Sequence, residues 1–147
     1  MSSQQRIALI LPHKCLFGCI CHASRSRKRC SLRHGGTHSD LIVGGGNDQL
    51  RGFGGDDRIY GRGGNDYIDG MGGDDRLEGN AGDDFIRGGR GDDLLTGGPS
   101  IDRLEGGSGD DSLFARNSLA DILFGDSGTD TAEVDPGDLL QSIETTT

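Results

Sequence analysis

Tryptophan is absent from this sequence, and its aromatic complement is five Phe and two Tyr. Hydrophobic residues make up only 31%, set against 28 glycines and three prolines. So little apolar surface excludes an ordinary globular core, because ordering that much glycine costs more entropy than the available burial offsets. A run of about 18 apolar residues, the length of a membrane-crossing helix, is also missing. So are the metal-binding helix pattern H-E-x-x-H and the nucleophile pattern G-x-S-x-G; His34 and His38 have the spacing of the first but lack its Glu.

Negative charge is missing from the first part of the chain and dominates the rest. Residues 1–34 contain no Asp or Glu but seven basic residues: Arg6, Lys14, Arg25, Arg27, Lys28, Arg29 and Arg33. From Gly35 onward there are 8 basic and 24 acidic residues, a net −16, with no Cys and no His after His38. A basic head therefore precedes a strongly acidic body, which would repel nucleic acid even though Arg25–Arg29 would attract it. In the head, Ile7–Leu11 is cut short by Pro12, His13 and Lys14, which argues against a cleaved leader; Leu16–Cys19 only faintly resembles a lipoprotein box. Cys15, Cys19, Cys21 and Cys30 lack paired zinc-finger spacing and allow three disulfide pairings. The head reads as a disordered extension, or as residues translated from a misplaced start.

What the body does have is a repeat. From Gly44 it reads GGGNDQLR, GFGGDDRIY, GRGGNDYID, GMGGDDRLE, GNAGDDFIR, GGRGDDLLT, GGPSIDRLE and GGSGDDSLF, the first unit one residue short. GGTHSDLIV precedes these units, and ARNSLADILF and GDSGTDTAEV follow. The sixth place is acidic without a break: Asp48, Asp57, Asp66, Asp75, Asp84, Asp93, Asp102 and Asp111. Two places later stands Leu50, Ile59, Ile68, Leu77, Ile86, Leu95, Leu104 or Leu113.

Glycine at the first and fourth places and Asn or Asp at the fifth suit a tight loop over the first six residues. The last three read as a short strand, with the aliphatic facing inward and polar neighbours such as Arg76 and Glu78 outward. Such units coil, odd strands stacking on one side and even strands on the other. The expected fold is all-β, a right-handed parallel β-roll whose core is a single aliphatic ladder, and each unit is stabilised only by its neighbours.

One aliphatic side chain per nine residues is too little to hold such a coil. Stacking also brings Asp57 near Asp75 and Asp66 near Asp84, columns that repel without a counter-ion. A hard divalent cation removes the repulsion. Calcium fits best, since it accepts six to eight oxygens in irregular geometry; magnesium needs a tighter octahedron and zinc prefers nitrogen and sulfur.

The units resemble the glycine-rich nonapeptide G-G-x-G-x-D-x-U-x of repeats-in-toxin (RTX) proteins, the hemolysin-type calcium-binding repeat, over about residues 35–134. The resemblance implies a parallel β-roll binding several calcium ions between turns. It also implies a secreted, extracellular protein exported by a bacterial type I machinery, with the export information at the C-terminus. Its ligands would be the sixth-place Asp48, Asp57, Asp66, Asp75, Asp84, Asp93, Asp102 and Asp111, then Asp121 and Asp130, with Asp40 the weakest candidate. Loop carbonyls would join them, beginning and ending at Gly52 and Gly55, Gly61 and Gly64, Gly70 and Gly73, Gly79 and Gly82, and Gly88 and Gly91.

Departures from the pattern carry their own expectations. Phe53, Arg62, Met71 and Asn80 replace the second-place glycine. Pro99, Ser100 and Ile101 predict a weaker or missing site around Asp102, and the extra residue in Ala115–Phe124 predicts a bulge. The fifth-place acids Asp56, Asp74, Asp83, Asp92 and Asp110 read as turn formers and surface charge rather than ligands. Residues 135–147 would cap the roll.

Three functions stay open at this point. A non-catalytic calcium-binding module, folded where calcium is plentiful, is favoured because 34 residues ahead of the first repeat are too few for a catalytic domain. The second is the C-terminal export and folding piece of a larger secreted enzyme or toxin. The third is an adhesive, carbohydrate-binding surface built on Phe53, Tyr60, Tyr67, Phe85, Phe114 and Phe124, which outward aromatics aligned on one sheet would support. The sequence assigns no oligomeric state.

Overall fold

Nine-residue spacing with one inward aliphatic demands strands that stack in register, and the computed structural model, which describes residues 32–146, has that arrangement. The readings given to the head (extension, leader, lipid anchor, zinc site and disulfides) lie outside the described residues. The strands are β1 (Leu32–His34), β2 (Leu41–Val43), β3 (Gln49–Arg51), β4 (Arg58–Gly63), β5 (Tyr67–Asp69), β6 (Arg76–Ala81) and β7 (Phe85–Arg90). They continue as β8 (Leu94–Thr96), β9 (Arg103–Ser108), β10 (Ser112–Phe114), β11 (Ile122–Ser127), β12 (Thr131–Glu133), β13 (Leu139–Gln141) and β14 (Thr145–Thr146). Odd strands form one seven-stranded sheet in the order β1-β3-β5-β7-β9-β11-β13, and even strands the other. Every pairing is parallel. The fold is an all-parallel β-solenoid.

The core is the predicted ladder. Leu50, Ile59, Ile68, Leu77, Ile86, Leu95 and Leu104 are fully buried, Leu113 is 1% exposed, and Ile42, Leu123 and Ala132 extend the column at its ends. Register follows the lengths of the units. Ile68 pairs with Ile86 and Leu50 with Ile68, each 18 residues on, while the short unit reduces the offset to 17 between Ile42 and Ile59. The long unit raises the offset to 19, pairing Leu104 with Leu123. Its extra residue is taken up between β10 and β11, so the aliphatic ladder never slips a face.

Two features exceed the sequence reading. β1 begins three residues before Gly35 and pairs with β3. β4, β6, β7, β9 and β11 are six residues long, not three, because the first three places of the following unit also pair. Turns there carry almost no side chains to hold successive backbones apart, so they bond directly: Gly70 N–H to Arg87 O at 2.9 Å, Met71 N–H to Gly88 O at 2.8 Å and Gly73 N–H to Arg90 O at 2.9 Å. At the other end, β13 and β14 add one strand to each sheet from the tail.

Candidate metal centre

The turns stack in two columns along opposite edges of the roll. One holds the turns starting at Gly52, Gly70, Gly88, Gly106 and Gly125; its fifth places are Asp56, Asp74, Asp92, Asp110 and Thr129, and we call it the acid-paired edge. The other holds the turns starting at Gly44, Gly61, Gly79, Gly97 and Ala115. Its fifth places begin Asn47, Asn65, Asp83 and Ile101, and we call it the mixed edge.

Backbone shape explains the glycines. In the nine-residue units from Gly52 onward the second place has positive φ whatever residue fills it: Gly89 at 123° and Gly107 at 118°, but also Phe53 at 79°, Arg62 at 77°, Met71 at 77° and Asn80 at 72°. Those four departures from glycine therefore keep the turn and bear its strain. At the fourth place a side chain would also strike the turn below. A Cβ on Gly73 would collide with Gly55 O and lie 2.6 Å from Gly55 C. At the first place a Cβ on Gly70 would collide with Asp75 Oδ2 and approach Gly88 O at 2.8 Å. Second- and fourth-place carbonyls thus face the next turn of the same edge across a gap too narrow for a methyl group.

From Asp57 to Asp130 each sixth-place carboxylate reaches back to the preceding turn of its own edge. Oδ1 of Asp75 accepts the N–H of Asp57 at 2.7 Å, Asp93 that of Asp75 at 2.8 Å, and Asp111 that of Asp93 at 2.8 Å. On the mixed edge Asp66 accepts from Asp48, Asp84 from Asp66 and Asp102 from Asp84, at 2.7 to 2.8 Å. The other oxygen is different. Oδ2 of Asp57, Asp66, Asp75, Asp84, Asp93, Asp102, Asp111 and Asp130 is buried and receives no hydrogen bond.

A buried anionic oxygen without a partner is costly. Desolvation accordingly pushes these carboxyls up, to about 6 at Asp57 and Asp111, about 7 at Asp75, Asp84 and Asp102, and about 8 at Asp93. The N–H bond to Oδ1 opposes that rise, and repulsion adds to it, from Asp75, Asp111 and Asp74 in the case of Asp93. Asp66, Asp121 and Asp130 are raised for the same leading reason. Among the described residues no three His, Cys, Asp or Glu side chains converge to hold a metal by themselves. An ion between turns would therefore complete its shell from backbone oxygens, which suits calcium.

A family model described as the RTX calcium-binding nonapeptide repeat matches the chain in four copies, over residues 34–68, 60–95, 69–104 and 96–132. The chain belongs to that family. Its roll is a non-catalytic calcium-binding module, with a ladder of buried aspartates suited to several calcium ions. No match was found among curated proteins. Membership suggests a secreted protein, and among the described residues no helix of this RTX chain is long and apolar enough to cross a membrane.

The RTX pattern left several residues unmarked. Fifth-place side chains form a second ladder running the opposite way: Asp56 Oδ1 accepts Asp74 N–H at 3.1 Å, Asp74 that of Asp92 at 3.0 Å and Asp92 that of Asp110 at 2.9 Å. These acids are exposed and brace the turns. Both sixth-place ladders end on tail carboxylates, Asp138 Oδ1 accepting Asp121 N–H at 3.0 Å and Glu144 Oε2 accepting Asp130 N–H at 2.6 Å. Spacing hid them, because the tail abandons the nine-residue register. The Pro99 unit keeps its turn, with Ser100 at φ 110° in the glycine place, and Asp102 is as buried as its neighbours.

Aromatic residues divide between the sheets. Tyr67, Phe85 and Phe124 are on the odd sheet, Tyr60 and Phe114 on the even one. Tyr67 and Phe85 stack with centroids 5.3 Å apart, and the Arg103 guanidinium lies 5.5 Å from the Phe85 ring and 4.4 Å from that of Phe124. Ring faces spent on one another and on Arg103 do not form an open platform for a sugar.

Proposed function

We propose that the roll is a calcium-dependent folding module working outside the cell. Its ions would sit in the gaps between successive turns of one edge, held by the sixth-place carboxylates. The residues assigned are Asp48, Asp57, Asp66, Asp75, Asp84, Asp93, Asp102, Asp111, Asp121 and Asp130, with carbonyls of the loops that open at Gly52, Gly61, Gly70, Gly79 and Gly88 and close at Gly55, Gly64, Gly73, Gly82 and Gly91. The observation that carries the assignment is the row of buried, unbonded Oδ2 atoms facing glycine turns. First-place carbonyls such as Gly88 O already accept one N–H and offer their second lone pair.

Bound calcium supplies the positive charge that offsets the stacked carboxylates. The chain does the rest: Oδ1 holds each Asp in place through the N–H of the preceding turn, and glycine lets the carbonyls approach. Binding free energy at such sites is folding free energy, so the roll orders where calcium is plentiful and loosens where it is scarce. In this reading residues 35–134 are the working unit, 135–147 its cap, and a type I export machinery its partner in leaving the cell. Far-UV circular dichroism of the full chain during calcium titration, with magnesium as control, tests the coupling. A cooperative gain of β signal with calcium alone is expected; a signal already complete in chelator would refute it.

A further inference from the structure

Two sixth-place carboxylates stand outside the unbonded row: Asp48 Oδ2 accepts the Gly45 N–H of its own turn at 2.7 Å, whereas Asp121 Oδ2 is met by a side chain, that of Asn117. Asn117 Nδ2 lies 2.7 Å from Gly98 O, 2.8 Å from Ser100 O and 3.0 Å from Asp121 Oδ2. Those three oxygens are the second- and fourth-place carbonyls of one mixed-edge turn and the sixth-place carboxylate of the next. By register, they correspond in the neighbouring gap to Asn80 O, Gly82 O and Asp102 Oδ2, and there Asp102 Oδ2 has no hydrogen bond. The Asn117 Oδ1 is itself fixed by the Leu119 N–H at 2.7 Å, which orients the amide so that its NH₂ points into the gap. The ten-residue unit makes this possible, because its additional residue lengthens the loop that carries Asn117.

We propose that Asn117 is a built-in substitute for a metal ion: its amide fills the gap between the turns starting at Gly97 and Ala115, so calcium skips that gap. The idea rests on the calcium assignment above and refines it by withdrawing Asp121 from the ligand set, since its Oδ2 is taken by Asn117. An NH₂ group delivers two hydrogens to oxygens that otherwise need a cation, without demanding a concentration of anything. It explains why this gap tolerates Pro99 and Ser100, since a hydrogen-bonding amide needs fewer converging oxygens than calcium does. The step is therefore fastened at any calcium level, whereas its neighbours respond to the ion.

Two measurements on the full chain test it. In isothermal titration, Asn117→Asp replaces the donor by a carboxylate and is expected to bind one more calcium than the unaltered protein; an unchanged count overturns the proposal. Because the variant could fail to fold, the second measurement uses the unaltered protein: nuclear magnetic resonance of the Asn117 carboxamide at saturating calcium. Slow hydrogen exchange of that NH₂ is expected, and free exchange, showing that an ion has displaced it, overturns the proposal. If the unaltered chain takes up no calcium at all, the calcium assignment fails first, and the exchange measurement still reports whether the amide closes the gap.

Discussion

The two edges of the roll share a backbone and a column of buried aspartates, yet differ in what surrounds them. On the acid-paired edge every central turn adds a second, exposed carboxylate: Asp56, Asp74, Asp92 and Asp110. On the mixed edge the same place holds Asn47, Asn65, Asp83 and Ile101, and one gap is occupied by Asn117. The contrast separates two tasks that a repeat usually merges. A fifth-place side chain braces the turn equally well as Asn or Asp, since Asn65 Oδ1 accepts the Asp83 N–H at 3.2 Å much as Asp56 serves Asp74. Its charge is additional, and sets how strongly each edge attracts cations.

The comparison breaks most sharply at the fourth place. Gly73→Ala on the acid-paired edge combines φ 119° with a Cβ driven into Gly55 O. It should cost roughly 2–5 kcal/mol in calcium-loaded unfolding. Gly46→Ala, at the fourth place of the first mixed-edge turn, keeps a positive φ of 91° but meets nothing within 4 Å and should cost only about 1–2 kcal/mol. Equal losses would show that turn packing is not what selects glycine.

A smaller effect concerns charge. Asp74→Asn should raise the calcium midpoint on the acid-paired edge, on the order of two- to fivefold, because one local charge is lost while the brace remains. Asn65→Asp should lower it on the mixed edge by a similar factor. Calcium titration of both variants in low and high salt checks this, with the difference shrinking at high salt.

Protons should substitute partly for calcium. The folded carboxyls at about 6 to 8 lie above their ordinary value of 3.8, so the protonated form favours the fold. Their contribution to the calcium-free roll is complete below about pH 4 and is lost as pH rises through 6 to 8. In chelator, the β signal should grow as pH falls from about 8 to 4; a signal that falls instead would contradict the burial of these groups.

The smallest effect is at the second place. Met71→Gly removes a strained positive φ of 77° but adds chain entropy to the unfolded state. A net gain of up to about 1 kcal/mol is expected by thermal unfolding in calcium, with Arg62→Gly giving the same on the other edge.

The ladder from Leu50 to Leu113, the alternation of sheets and the column of sixth-place acids were legible in the sequence because each depends on spacing alone. The direction of the carboxylates was not. Oδ1 bonding to the preceding turn and Oδ2 left unbonded depend on turn shape, which one-dimensional spacing does not carry. Asn117, Asp138 and Glu144 were missed for a related reason: each acts where the register breaks. Ala115–Phe124 looked like a flaw in the repeat, and the structure makes its extra residue the support for an alternative fastening.

From Asp57 to Asp130 each sixth-place Asp reaches backward, so each turn borrows a hydrogen-bond acceptor from the turn after it. The roll therefore has a direction, and its two ends are chemically unlike. Asp138 and Glu144 lend that acceptor to Asp121 and Asp130 and thereby close the C-terminal end without repeating the motif. At the other end Asp40 gives its N–H to Asp57. Repeats joined behind the tail would meet turns whose last sixth-place N–H groups already have their acceptors.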